Sequence, residues 1–177
     1  MLNRIQTQML KLTVLSLTAT AQLSLIPVTA ARAADSKVVN VVLLQPESSL
    51  FEKDPDVKAV SAYITRVKEE FARTILTENL EKTSGFVICA VRTGKKSNAW
   101  LDFKPELPPK VANALLTRLK TIPPYAIKKG TMVFAVSFTV NGAAPRSGVP
   151  SPKEWSEATT GTTVPVEVED LVSRVWP

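Results

Sequence analysis

Apolar residues fall at Val57, Val60, Ile64, Val67, Phe71 and Ile75, three or four positions apart, and Arg66, Lys68, Glu69, Glu70 and Arg73 fill the gaps. Such steps gather side chains on one face of a 3.6-residue helix. The helix is expected to begin at Asp54-Pro55-Asp56, an N-cap candidate with proline in the first turn. It is expected to run through Leu80 and to close at Ser84-Gly85, because glycine accepts the left-handed backbone that ends helices. Val111, Leu115, Leu119 and Ile122 repeat the pattern over 109–120, between Pro108-Pro109 and a stop at Pro123-Pro124.

Further along, the period drops to two. Met132, Phe134, Val136, Phe138 and Val140 alternate with Val133, Ala135, Ser137 and Thr139, between Lys128-Lys129-Gly130 and Asn141-Gly142. Strict alternation marks a strand. The apolar run 86–91 and residues 99–103 read as the two arms of a hairpin whose turn, 92–98, is basic. Residues 36–44 are rich in valine and are closed by Gln45-Pro46, which fits a short strand or an extended leader.

The order helix, strand, strand, helix, strand over 56–142 predicts an α+β fold. Its three-stranded antiparallel sheet has two helices over one face, in the order α-β-β-α-β. A helix over 109–120 spans ~18 Å and can carry the chain back along the sheet, so strand 86–91 lies in the middle and 131–140 on an edge. That edge is long, apolar and free of proline or charge, a state natural proteins seldom leave bare. Either the tail covers it or a partner does. The tail, 143–177, is expected to be largely irregular, given Pro145, Pro150, Pro152, Pro165 and a Thr-Thr-Gly-Thr-Thr run. Residues 167–176 could add a terminal helix, and Trp155 and Trp176 are expected to dock on the domain.

The first 33 residues change the setting. Arg4 and Lys11 precede an apolar stretch, no acidic residue occurs before Asp35, and Ala31-Arg32-Ala33 supplies an A-x-A site. This is the order of a cleaved secretory signal. Thr13, Ser16, Thr18, Thr20, Gln22 and Ser24 make the stretch too polar for the ~20 apolar residues of a bilayer anchor. A periplasmic or secreted protein is therefore expected, with an extended segment at 34–55 and the domain at 56–142. Half of the formal net charge of +6 sits on Arg4, Lys11 and Arg32, so the basic balance does not point to nucleic acid.

Candidate chemistry is sparse. The chain has no histidine and one cysteine, Cys89, which removes most metal-ligand sets and every nucleophile activated by histidine. Neither a metal nor a cofactor is expected. Cys89 lies in an apolar run and reads as core. Gly94-Lys95-Lys96-Ser97 resembles the end of a phosphate loop, but the earlier glycine is replaced by Cys89 and no helix follows. Arg92, Lys95 and Lys96 form a basic hairpin tip near Trp100 that could touch an anionic surface, at most peripherally, although such tips are ordinarily just solvated. Glu69 with Glu70, or Asp102 with Glu106, could serve as acid and base only if a cleft joined them. Glu69 and Glu70 point about a hundred degrees apart on a helix.

Residues 57–142 resemble the C-terminal domain of the TonB and TolA cell-envelope proteins. The likeness rests on Tyr63 in a basic helix, Gly85-x-x-x-Cys89 at the first strand, a second helix ending in Ile122-Pro123, and the closing Phe134-x-Val136-x-Phe138 strand. A second cysteine, which the family pairs with the first and which the resemblance implies near Val111, is missing. The resemblance implies a non-catalytic periplasmic module that binds a cell-envelope protein or peptide segment as an added strand. On that expectation the contact residues are Met132, Phe134, Val136, Phe138 and Val140, and an open edge could equally pair two copies as a homodimer. A secreted hydrolase or cell-wall enzyme is the alternative.

Overall fold

The computed structural model describes residues 34–162 and 164–177; the expected signal, 1–33, lies outside them. Helix α2 (Val57–Ile75) starts slightly later than the sequence places it: Asp56 is the N-cap, its carboxylate accepting from the Lys58 amide at 2.9 Å, and Pro55 lies ahead of the helix and not in its first turn. It stops well before Gly85. The hydroxyls of Thr74 and Thr77 donate back to the carbonyls of Glu70 and Thr74, a competing pattern that weakens a last turn. Gly85 instead sits inside a strand opposite Phe103, where a Cβ would run into the Asp102 carbonyl and the Phe103 backbone. Close backbone approach, and not a helix end, is what that glycine serves.

Two strands, β2 (Thr83–Arg92) and β3 (Lys96–Lys104), form the expected hairpin, and α3 (Pro109–Thr121) returns the chain to β4 (Thr131–Val140). With β1 (Ser36–Leu43) the sheet has four antiparallel strands, in the order β1-β4-β2-β3. The three-stranded expectation is corrected on this point: the valine-rich run near the start is a strand, and it lies against β4. Ser36 faces Val140 and Leu43 faces Phe134, with the register stepping by one residue at Val39. As expected, β2 is in the middle of the other three.

The sheet is covered on both faces, a second correction. On one face Met132, Phe134, Val136 and Phe138 of β4 and Val87 and Cys89 of β2 pack beneath α2 and α3. Phe71 stacks on Phe138, with ring centres 3.8 Å apart, and on Phe103 at 5.6 Å. On the other face Phe86, Ile88, Val133 and Ala135 meet the tail, which is not irregular throughout but forms α4 (Lys153–Ala158) and α5 (Val168–Val175). Trp155, Leu171 and Val172 give it an apolar face to bury, and Trp155 meets Trp100 edge to face at 5.6 Å. Burial on both sides explains why β2 reads as a continuous apolar run instead of alternating.

Candidate functional site

The flank of β4 is closed. Met132, Phe134, Val136, Phe138 and Val140 are all buried and point into the α2 and α3 core, so none is presented to a partner. Their alternation reports the larger side chains on the α2 and α3 face and the smaller ones on the other, both buried; it carries no information about the backbone edge, and that edge belongs to β1. Closure continues past the end of β1. The Leu44 amide donates to the Val133 carbonyl at 3.1 Å. The Gln45 side chain then takes over as a surrogate strand, accepting from the Val133 amide at 2.9 Å and donating to the Thr131 carbonyl at 2.9 Å.

Glu169 of α5 completes this clasp. Its carboxylate accepts from the Thr131 amide at 2.7 Å and from Lys53 at 2.8 Å, and Lys53, at the end of α1 (Glu47–Lys53), is itself buried. Gly130, with φ of +66°, passes so close that any side chain would strike Glu169. Nothing in the sequence periodicity announces these contacts, because they join residues far apart in the chain through polar atoms.

The bare edge lies one strand further out. Val38, Val39 and Val41 of β1 are 41 %, 43 % and 41 % exposed, and β1 ends the sheet. Since the Leu44 amide faces β4, the alternation of an antiparallel ladder turns Val42 and Asn40 toward β4 as well. It turns the amide and carbonyl groups of Val41 and Leu43 outward. Close to the Leu44 end, a hollow of about 370 Å³ is lined by Phe51, Pro55, Val57, Val60 and Met132, with Glu47 and Asp54. Phe51 and Val57 are among the most exposed large apolar side chains of the described residues, at 79 % and 78 %.

The basic tip divides. Arg92 stacks 3.7 Å over the Trp176 ring and donates to the Trp176 carbonyl, so it holds the tail. Lys95 and Lys96 remain exposed. One member of each carboxylate pair is committed too, while Glu69 and Glu106 are exposed. Glu70 pairs with Arg73 at 3.1 Å and Arg118 at 3.4 Å. Asp102 and Glu106 line one hollow of about 320 Å³, but the buried Asp102 carboxylate is taken by Arg146 and by the Ser151 amide at 2.7 Å. A base already bound to a guanidinium and an amide is poorly placed to abstract a proton.

Burial pushes the Cys89 thiol up to about 12, which leaves it protonated and unreactive at neutral pH. The same cause raises the neighbouring phenols of Tyr63 and Tyr125, whose rings meet edge to face at 5.5 Å. Among the described residues no group of three or more potential ligands is placed to hold a metal ion, and no helix is long and apolar enough to cross a membrane. No family model matches the chain, and no match is found among curated proteins or solved structures.

Proposed function

We propose that this protein is a binding or assembly module of the bacterial cell envelope, exported to the periplasm or beyond, which takes up an extended segment of a partner as an added strand. The segment adds to the outer flank of β1, not to β4. The observation that carries this reading is the exposed edge, where the outward backbone groups of Val41 and Leu43 lie among valines more than two-fifths exposed. An added strand gains affinity from those main-chain groups and selectivity from alternate side chains. The apolar hollow at Phe51 and Val57 offers a pocket for one of them. The resemblance to TonB and TolA C-terminal domains implies the same mode of binding, and the signal-like leader supplies the compartment.

The test uses Val41→Pro, which deletes an outward N–H without touching the ladder to β4. In capture from an envelope extract, the proteins retained by the unmodified chain should be lost with Val41→Pro and kept with Lys95→Glu at the hairpin tip. Equal recovery with Val41→Pro would overturn strand addition at β1.

A further inference from the structure

The open edge of β1 has ends as well as a flank. At one end the ladder steps at Val39, and a bulge twists the strand and interrupts its regular hydrogen bonding. At the other, Gln45 is diverted to β4, and Pro46 has no amide to offer. The regular outward edge is therefore residues 40–44, with Val42 at its centre. Only a short strand fits there, and the segment 40–44 is itself such a strand.

We infer that the β1 edge pairs with the β1 edge of a second copy, antiparallel about Val42, so that two four-stranded sheets join into one. This rests on the strand-addition reading and names a second copy as the resting occupant. The symmetry follows from the register. Val41 of one copy faces Leu43 of the other, and both turn their backbone groups outward, so each symmetric pair exchanges two hydrogen bonds. Val42 faces Val42, and Asn40 faces Leu44. A two-fold contact must be self-complementary, and this one is: apolar residues oppose apolar residues at the centre.

Charge agrees with the same register. Lys37 precedes this edge and Glu47 follows it, so antiparallel pairing brings the Lys37 end of each strand to the Glu47 end of the other, on the rim beyond the regular ladder. Both side chains are exposed, and among the described residues neither has an ion pair within its own chain. A parallel arrangement would place lysine on lysine and glutamate on glutamate.

Three measurements on the purified chain test this. Sedimentation equilibrium should give twice the chain mass, falling to one chain mass for Val41→Pro. Lys37→Glu should weaken association about tenfold, since two rim pairs turn from attraction to repulsion, and Lys37→Glu combined with Glu47→Lys should restore it. Val42→Cys, oxidised with diamide, should crosslink in high yield, because symmetric non-hydrogen-bonded neighbours have Cα atoms ~4.5 Å apart, within disulfide reach. Lys95→Cys should not crosslink. The buried native Cys89 stays out of the reaction.

A single-chain mass with no Val42→Cys crosslink would overturn self-pairing, as would crosslinking through Lys95→Cys instead. Should Val42→Cys fail to fold, the exchanged charges decide alone: a double variant as weakly associated as Lys37→Glu also overturns the register. If self-pairing fails while Val41→Pro still abolishes partner capture, the strand-addition reading stands without the dimer. If both fail, the edge is not used.

Discussion

The two edges of the sheet are treated in opposite ways. At β3 the Asp102 carbonyl accepts from Arg146 at 3.0 Å, its carboxylate holds both Arg146 and the Ser151 amide, and α3 packs alongside. At β1 there is a single bulge, and three valines meet solvent. The contrast teaches where an edge can be closed by its own chain. Strapping β3 also seats Trp155 on Trp100 and buries the second face of the sheet, so hydrogen bonding and apolar burial favour the same path. At β1 the neighbouring α1 turns away toward β4 through Lys53 and Glu169, and among the described residues no strand lies beyond.

The largest effect should come from opening the strapped edge. Asp102→Ala leaves the Arg146 guanidinium, only 20 % exposed, beside an apolar face with no counter-charge. Breaking a buried pair from one side costs about 3 kcal/mol or more, to be read from the urea midpoint. Limited proteolysis should then clip the tail first. Cys89 faces the α2 side and should stay unreactive to alkylation in the clipped protein. A loss below about 1 kcal/mol would mean that the strap does not secure this edge.

A smaller effect, and a finer one, separates the two sides of β1. Val42→Pro removes an amide that faces Ala135 and strands a carbonyl of β4, which should cost about 1–3 kcal/mol. Val41→Pro, one residue away and compared on the single chain at concentrations too low for association, should change stability by less than about 0.5 kcal/mol, since its amide faces away from β4. Equal effects in thermal melts would place the ladder in the wrong register.

Much of this architecture is legible in the chain, and the reasons are physical. The spacing in α2 and α3 records burial on one side of an element, and the alternation in β4 records large side chains on one face and small ones on the other; a linear pattern preserves both. The hairpin is marked by its apolar arms and basic turn. Strand order is different. Whether β1 lies beside β4 or trails as a leader depends on the hydrogen-bonding direction within the sheet plane, and side-chain periodicity says nothing about that direction. The contact residues sought on β4 were therefore core, and the open flank belonged to a valine run read as strand or leader. The tail is legible in part: the terminal helix and the docking of Trp155 and Trp176 follow from apolar spacing, whereas proline and threonine content suggests disorder where α4 forms, and eight apolar residues of the tail pack on the sheet.

The third prediction concerns the middle of the sheet, where neither edge reaches. The folded Cys89 thiol titrates at about 12 against an ordinary value of 9.0, because burial disfavours the thiolate. Above pH 9 the unfolded chain gives up this proton first, so it binds fewer protons than the folded one and stability falls as pH rises. The contribution is intact below pH 9 and is lost on the way to pH 12; the loss by pH 10 is about 1 kcal/mol. Tyr63 and Tyr125 act in the same direction, so the comparison that isolates the thiol is Cys89→Ala, whose stability should decline less steeply between pH 8 and pH 10. A parallel decline would remove Cys89 from the alkaline response.

The smallest effects lie at the hairpin tip, and they separate its three cations, one belonging to the strap and two standing in solvent. Arg92 belongs with the strap: it lies over Trp176 and bonds to that residue's carbonyl, and Trp176 in turn meets Trp100 at 6.5 Å. Arg92→Ala should cost about 1 kcal/mol and should quench or shift tryptophan fluorescence as the end of α5 loosens. Lys95→Glu together with Lys96→Glu should stay within about 0.5 kcal/mol of the unmodified chain, because both side chains stand in water and screening reduces their interactions. If the lysine pair instead destabilises as much as Arg92→Ala, the tip is one electrostatic unit serving the tail, and the division drawn between a strapped edge and a free tip does not hold.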